Sequence, residues 1–139
     1  MTQTPSTETV AITTEPDIVG VRKAARDAAI KAGFSLVQQT KLVTAASELA
    51  RNALVYGGGG QAEIAVEETA GTATVHLTFT DNGPGIPDVE VALTDGYTTG
   101  SGLGLGLGGA RRLSDQFEID SAPGKGTTIR MSISARRSP

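Results

Sequence analysis

Three things are scarce in this sequence: cysteine, long apolar runs and excess positive charge. None of the 139 residues is cysteine, which excludes disulfides and thiolate metal sites and fits a reducing compartment. No apolar run approaches the ~20 residues that span a bilayer, and the N-terminus lacks the charged and apolar regions of a signal peptide. The net charge is −3 and the pI about 5.1, unlike the basic surface of a nucleic-acid-binding protein. We therefore predict a cytoplasmic protein that binds neither nucleic acid nor membrane.

Length and composition predict a single folded domain. The chain has 139 residues, of which 38% are hydrophobic. This suits one compact core near the commonest domain size and leaves no room for a second domain. We expect one domain at residues 8–135, between flexible ends at residues 1–7 and 136–139.

Hydrophobic periodicity predicts three helices and five strands. Apolar residues recur at helical spacing over residues 18–32, after Asp17 as a candidate N-cap, and over residues 36–56, after Ser35. We expect a third helix at about 105–114, and strands at about 8–13, 62–68, 73–81, 116–121 and 126–134. Runs of adjacent strands favour an α/β (α+β) two-layer sandwich, in which a mostly antiparallel mixed sheet carries helices on one face.

Two polar residues fall in phase with the buried side of their strands. Asp81 ends the apolar alternation of strand 73–81, and Thr127 is in phase with the apolar residues of strand 126–134. Burying a carboxylate without a partner costs several kcal/mol. A ligand could be that partner: an adenine amine donating to Asp81, with a water shared by Thr127. The other interpretation is that Asp81 only caps a turn at D-N-G, a common role for that tripeptide.

Glu48 and Asn52 lie four residues apart, so both project from one face of the second helix. Magnesium prefers oxygen ligands and keeps several waters, so an amide oxygen beside a carboxylate suits it. Glu48 could then accept the proton of an attacking hydroxyl. The alternative is an ordinary solvated helix face.

A glycine-rich segment follows, with seven glycines between residues 96 and 109. It belongs to a long connection, residues 82–102, with one helical turn expected near 88–94, and connections of that length are often functional lids. The glycines leave backbone N–H groups bare for phosphate oxygens, especially where a helix begins just after them. Leu103 is one of the leucines that alternate with these glycines, which argues against a flexible linker because linkers favour polar residues.

The single histidine, His76, lies out of phase with the apolar residues of its strand. We expect it on the surface, with no role as a metal ligand or phosphate acceptor.

Four segments together resemble the boxes of a known superfamily. They are E-L-A-R-N-A at 48–53, D-N-G-P-G-I at 81–86, T-G-S-G-L-G-L-G-L at 99–107 and G-K-G-T at 124–127. They are similar to the Bergerat-fold ATP-binding domains of gyrase, Hsp90, histidine kinases and MutL, known as GHKL. Within that superfamily, residues 9–133 most resemble the small bacterial anti-sigma-factor-type serine/threonine kinases of the RsbT kind.

The resemblance implies a role for each matching residue. Glu48 would act as the catalytic base, Asn52 would ligate Mg²⁺, and Asp81 would bind the adenine amine of ATP. The remaining nucleotide contacts implied are Gly83, Gly85, Gly100, Gly102, Leu103, Gly104, Gly106 and Thr127. One position departs from many histidine kinases, which carry a lysine three residues after the asparagine where this chain has Val55. The cation that would neutralise the phosphates stays open among Lys41, Arg51 and Arg111.

The resemblance also implies a function and its partners. The chain would be a serine/threonine protein kinase that uses Mg-ATP to phosphorylate a STAS-domain antagonist protein in a bacterial partner-switching pathway, for stress response or sigma-factor control. The alternative is a nucleotide-gated binding module, an anti-sigma factor or phosphatase activator, whose partner is a sigma factor or a PP2C-type phosphatase. A detached histidine-kinase catalytic domain is a third interpretation. The oligomeric state stays open.

Overall fold

The computed structural model describes residues 6–86, 89, 93 and 106–136. The elements in them are β1 (Ser6–Ile12), α1 (Glu15–Lys31), α2 (Leu36–Val55), β2 (Gly60–Thr69), β3 (Thr72–Asp81), α3 (Gly106–Leu113), β4 (Gln116–Ser121) and β5 (Thr127–Arg136). Their order and type match the prediction, with bounds that differ by a few residues. Most of the helical turn expected near 88–94 lies outside the described residues; within it, the N–H of Leu93 donates to the carbonyl of Val89 at 3.0 Å.

The five strands form one sheet in the order β1-β2-β3-β5-β4. Every described pairing of neighbouring strands is antiparallel. β5 inserts beside β3, which leaves β4 at one edge and β1 at the other. The predicted two-layer sandwich with a mostly antiparallel sheet is confirmed, and none of the described strand pairings is parallel.

The helices cover one face of the sheet, and the core lies between the two layers. In β3, buried and half-buried residues alternate strictly along the strand, because successive side chains point to opposite faces. Leu42 and Leu49 of α2 are fully buried, as are Leu77 of β3 and Ile129 of β5. Each such side chain contributes about 1.5–3 kcal/mol relative to an exposed one. This packing holds α2 against the centre of the sheet, near the end of the central strand β3.

The opposite face of the sheet is polar. His76 lies there, with Nε2 2.9 Å from Oε1 of Glu67 on the neighbouring strand. The Nη1 of Arg130 on β5 donates to Oε1 of Glu118 on the neighbouring strand β4 at 3.2 Å. The surface position predicted for His76 is confirmed.

The start of α1 corrects one prediction, because its N-cap is Thr14 and not Asp17. Asp17 is the third residue of the helix, and its Oδ2 accepts hydrogen bonds from the backbone N–H of Thr13 at 2.8 Å and of Thr14 at 3.0 Å. These bonds, the one from Thr13 first, lower the pKa of Asp17 below its ordinary value because they favour the ionised carboxylate. Asp17 therefore secures the turn before the helix.

The start of α2 follows the prediction. The Oγ of Ser35 accepts the N–H of Gln38 at 3.2 Å, and the N–H of Ser35 donates to Oε1 of Gln38 at 3.2 Å. This reciprocal pair is a capping box, which satisfies two backbone donors at the helix start. None of the helices described is both long enough and apolar enough to span a bilayer.

Candidate active site

Three polar side chains lie in one row across the end of the sheet. Asp81 of β3 pairs with Thr127 of β5, and Thr127 pairs in turn with Ser121 of β4. Asp81 is 7% exposed and Thr127 5%, so both occupy the core side, as the strand alternation predicted. Directly opposed residues of an antiparallel pair have Cβ atoms about 4.5–5.5 Å apart. The sheet thus brings the two sequence-predicted residues side by side.

The two oxygens of the Asp81 carboxylate have different surroundings. Oδ1 accepts the backbone N–H of Gly83 at 2.9 Å, which is the turn-capping role considered above. Oδ2 accepts no hydrogen bond from the described residues, and no fully enclosed side-chain oxygen among them lacks a partner. Oδ2 is therefore within reach of a solvent molecule or a ligand. The turn-cap interpretation accounts for one oxygen and leaves the other available.

Glycine backbones pack around Asp81 at very short range. A Cβ added to Gly57 would lie 2.6 Å from Oδ2 of Asp81, and one added to Gly83 would lie 2.6 Å from the Cα of Gly57. Gly126, which has a φ of +74°, lies against the backbone carbonyl of Asp81. Gly57 was missed as a site residue, because the four glycines at 57–60 read locally as the end of a helix. Their number at that point is the signal that could have identified it.

Gly57→Ala should therefore disturb the site by steric overlap alone. Gly57 does not have a positive φ, so alanine adds no backbone strain, but its Cβ would overlap the Asp81 side chain. We expect a loss of about 1–3 kcal/mol in the free energy of unfolding, the usual cost of overpacking. We also expect weaker nucleotide binding, measured by calorimetry with ADP.

Gly20→Ala is the matched control for this substitution. Gly20 lies inside α1, and the nearest atom to an added Cβ is a Val10 methyl at 3.8 Å. Alanine should stabilise that helix by about 0.5–1 kcal/mol. Wild-type ADP affinity in Gly57→Ala would show that nucleotide binding at Asp81 does not depend on the close approach of Gly57.

The loop after β3 is attached to the turn between β4 and β5. The N–H of Gly124 donates to the carbonyl of Pro84 at 2.7 Å, and the N–H of Ile86 donates to Oγ of Ser121 at 2.8 Å. Gly85, with a φ of +79°, packs directly on the backbone of Ala122. Gly83 and Gly85 thus let the chain turn tightly beside Asp81, and their predicted contacts with a nucleotide stay predictions. Ser121 was not predicted, since its position in the sequence shows no pattern that distinguishes it from other strand ends.

The C-terminal turn of α2 leads directly to Asp81. The backbone carbonyl of Asn52 accepts the N–H of Tyr56 at 3.0 Å and that of Gly57 at 3.3 Å, and Gly57 contacts the Asp81 carboxylate. Asn52 therefore lies roughly 7.5 Å before Gly57 along the helix, and Glu48 one turn earlier, about 6 Å further. Both side chains are half-buried, and neither forms a hydrogen bond or an ion pair with another described residue. Their oxygens are available for a cation and a water, which is the donor chemistry Mg²⁺ requires.

Among the candidate cations, Arg51 has a partner in this structure. Its Nη1 is 3.5 Å from Oε1 of Glu15 at the start of α1. Lys41 and Arg111 are exposed. No group of three or more metal-ligating side chains occurs among the residues the structure describes.

The glycine-rich segment is described only at its end. Gly106 has a φ of +67° and begins α3. That left-handed conformation suits glycine. Gly100, Gly102, Leu103 and Gly104 lie outside the described residues. Their predicted contacts with phosphate therefore stay predictions.

Comparisons with known proteins agree on one family. The family model described as histidine kinase-, DNA gyrase B- and HSP90-like ATPase matches residues 37–137. The serine/threonine-protein kinase RsbT of Bacillus subtilis (strain 168) is 45% identical over 122 residues, which cover 86% of this chain and 90% of RsbT. An anti-sigma F factor of Bacillus licheniformis is 36% identical over 97 residues, 66% of each chain.

Solved structures match the fold. The RsbU and RsbW domains of a Mycobacterium tuberculosis protein align with a TM-score of 0.59 and 21% identity, over 99% of this chain and 34% of that one. The mycobacterial sensor histidine kinase MprB aligns with a TM-score of 0.56 and 18% identity, over 96% of this chain and 100% of that one. At these identities the likeness concerns the fold alone.

Proposed function

Because the chain belongs to the histidine kinase-, DNA gyrase B- and HSP90-like ATPase family, we propose that it is an ATP-dependent protein serine/threonine kinase of bacterial partner switching. Its substrate is a serine or threonine of a STAS-domain antagonist protein, as the likeness to RsbT suggests. The observation that carries the proposal is Oδ2 of buried Asp81, which accepts no hydrogen bond from the described residues and lies next to the helix turn that follows Glu48 and Asn52.

The base of ATP binds at the end of the sheet in this proposal. Oδ2 of Asp81 accepts a hydrogen from the adenine amine, while Oδ1 stays bonded to Gly83. Thr127 holds a water beside the base. The glycine backbones at 57, 83 and 126 pack closely around Asp81 because they have no side chains there, and so hold the carboxylate in place for the base.

The phosphates then extend towards α2. The amide oxygen of Asn52 would hold Mg²⁺, which would supply charge neutralisation, and the N–H groups of residues 100–106 would bind phosphate oxygens. Glu48 accepts the proton of the substrate hydroxyl while the hydroxyl oxygen bonds to the γ-phosphorus. The bond from the γ-phosphorus to the β–γ bridging oxygen breaks, and ADP leaves. Phosphoryl transfer depends mainly on such positioning and charge neutralisation.

A binding module is the second candidate, and the anti-sigma F factors among the relatives favour it. In that case the chain sequesters or activates a sigma factor or a PP2C-type phosphatase, with nucleotide tuning the affinity. The chain spans about two thirds of those relatives' length.

The test is to incubate the purified protein with γ-labelled ATP, magnesium and STAS-domain proteins of the same organism. We expect label on a serine or threonine of one STAS protein, and none when EDTA removes the metal. Phosphoserine and phosphothreonine survive acid, whereas phosphohistidine does not, so acid treatment separates this outcome from a detached histidine-kinase domain. Absence of label with ATP-dependent co-elution of a partner would overturn the kinase and support the binding module.

A further inference from the structure

Ser121 is the most connected side chain at the end of the sheet, and the function proposed above gives it no role. Its Oγ is 2.8 Å from the N–H nitrogen of Ile86, 3.0 Å from the carbonyl oxygen of Gly126 and 2.8 Å from Oγ1 of Thr127. These three partners come from the loop after β3, the turn before β5 and β5 itself. One hydroxyl thus joins three segments around Asp81.

The three contacts permit a single arrangement of protons. A serine hydroxyl has one hydrogen to donate and two lone pairs to accept with. The carbonyl of Gly126 can only accept, so it takes the Ser121 proton. The N–H of Ile86 can only donate, so it occupies one lone pair. The contact with Thr127 must then use the other lone pair, which makes Thr127 the donor.

This arrangement determines what Thr127 offers to a ligand. Its only hydrogen is committed to Ser121, so Oγ1 has lone pairs alone for the pocket. Oδ2 of the Asp81 carboxylate, on the directly paired residue, is likewise an acceptor. The end of the sheet therefore presents two hydrogen-bond acceptors side by side, and no hydroxyl hydrogen of this pair is free to satisfy an acceptor on the ligand.

We infer that Ser121 is a positioning residue that makes the pocket select 6-aminopurine nucleotides over 6-oxopurine nucleotides, by holding Thr127 as an acceptor. An amine at C6 can donate to these acceptors directly or through water. A carbonyl at C6 faces two acceptors and is repelled. If the Ser121 hydroxyl is removed, the Thr127 hydroxyl can turn and donate to that carbonyl. The inference rests on the adenine site of the proposed function.

The experiment measures the dissociation constants of ADP and IDP by calorimetry, since inosine differs from adenosine by a carbonyl in place of the C6 amine and by a hydrogen on N1. The proteins are wild type, Ser121→Ala, Thr127→Val and the double variant. We expect Ser121→Ala to lower the preference for ADP over IDP about fivefold, the effect of one neutral hydrogen bond. Thr127→Val should lower it similarly, and the double variant should lower it no further than the larger single effect. Ser121→Thr, which keeps a hydroxyl, should restore the preference.

Other results would overturn the inference. Equal weakening of ADP and IDP in Ser121→Ala would mean that Ser121 only holds the loop through Ile86. Effects of the two single variants that multiply in the double variant would mean that Ser121 does not act through Thr127. A wild type without preference for ADP would also overturn it. Failure of the kinase proposal would be a separate result: the protein would prefer ADP over IDP but would label no STAS protein.

If Ser121→Ala does not fold, variants at Thr127 alone test the inference. Thr127→Ser keeps the hydroxyl and should keep the preference for ADP, whereas Thr127→Val should lose it. Equal preferences in these two variants would overturn the inference.

Discussion

Replacing Glu48 with glutamine should reduce phosphoryl transfer by a factor of about 10²–10⁴, the usual contribution of a general base. Glutamine has nearly the same shape but cannot take the proton of the attacking hydroxyl. Glu48 is half-buried on α2 and forms no hydrogen bond or ion pair with another described residue, so the substitution breaks no such bond within the described part of the fold. ADP affinity should stay within a few-fold of wild type, because the base acts only during transfer. The measurement pairs single-turnover labelling of the STAS protein with calorimetry.

A matched control separates this effect from a change of surface charge. Glu63→Gln makes the same chemical change on an exposed residue of β2, and its transfer rate should equal that of wild type. Transfer by Glu48→Gln at a rate close to wild type would remove Glu48 from the mechanism. Loss of partner binding together with transfer would instead indicate that this part of α2 contacts the partner.

Replacing Asp81 with asparagine should weaken ATP and ADP binding by about 10- to 150-fold. This range corresponds to the ~1.5–3 kcal/mol of a hydrogen bond to a charged group. Oδ1 bonds to the N–H of Gly83 at 2.9 Å, so the asparagine oxygen should occupy that position and its amino group the position of Oδ2. A donor would then face the base where an acceptor is needed. Calorimetry with ADP measures the change, and thermal unfolding checks the fold.

Asp120→Asn is the control for that substitution. Asp120 lies on β4 one residue before Ser121 and is exposed on the other face of the sheet. Its removal should leave nucleotide affinity unchanged. An unchanged affinity in Asp81→Asn would mean that Asp81 acts only as a turn cap, and it would contradict the adenine site.

The fold could be predicted closely from local patterns. The strict alternation of β3 predicted its bounds and its inner face, and Ser35 predicted the start of α2, because both signals lie within a few residues of sequence. The start of α1 was misplaced for the same reason. Asp17 and Thr14 are both good N-cap residues, and only the geometry shows Asp17 accepting from the backbone at Thr13 and Thr14.

The candidate site could be predicted in part. Asp81 and Thr127 were identified because a polar residue in an apolar alternation is visible in the sequence. Gly57 and Ser121 were not, although one contacts the Asp81 side chain and the other bonds to Thr127. A glycine after a helix and a serine at a strand end are ordinary in sequence. Their importance comes from the residues they meet.

The sequence by itself determined the eight elements, their inner faces and the presence of two polar groups on the core side, because these follow from the spacing of residues close along the chain. Only the tertiary structure decided that β5 inserts between β3 and β4 and so brings Asp81, Thr127 and Ser121 into one row. It also decided that Gly57 packs on Asp81 and that the Ser121 hydroxyl hydrogen-bonds with that of Thr127. Residues far apart along the chain meet there through packing and register, which local spacing does not encode.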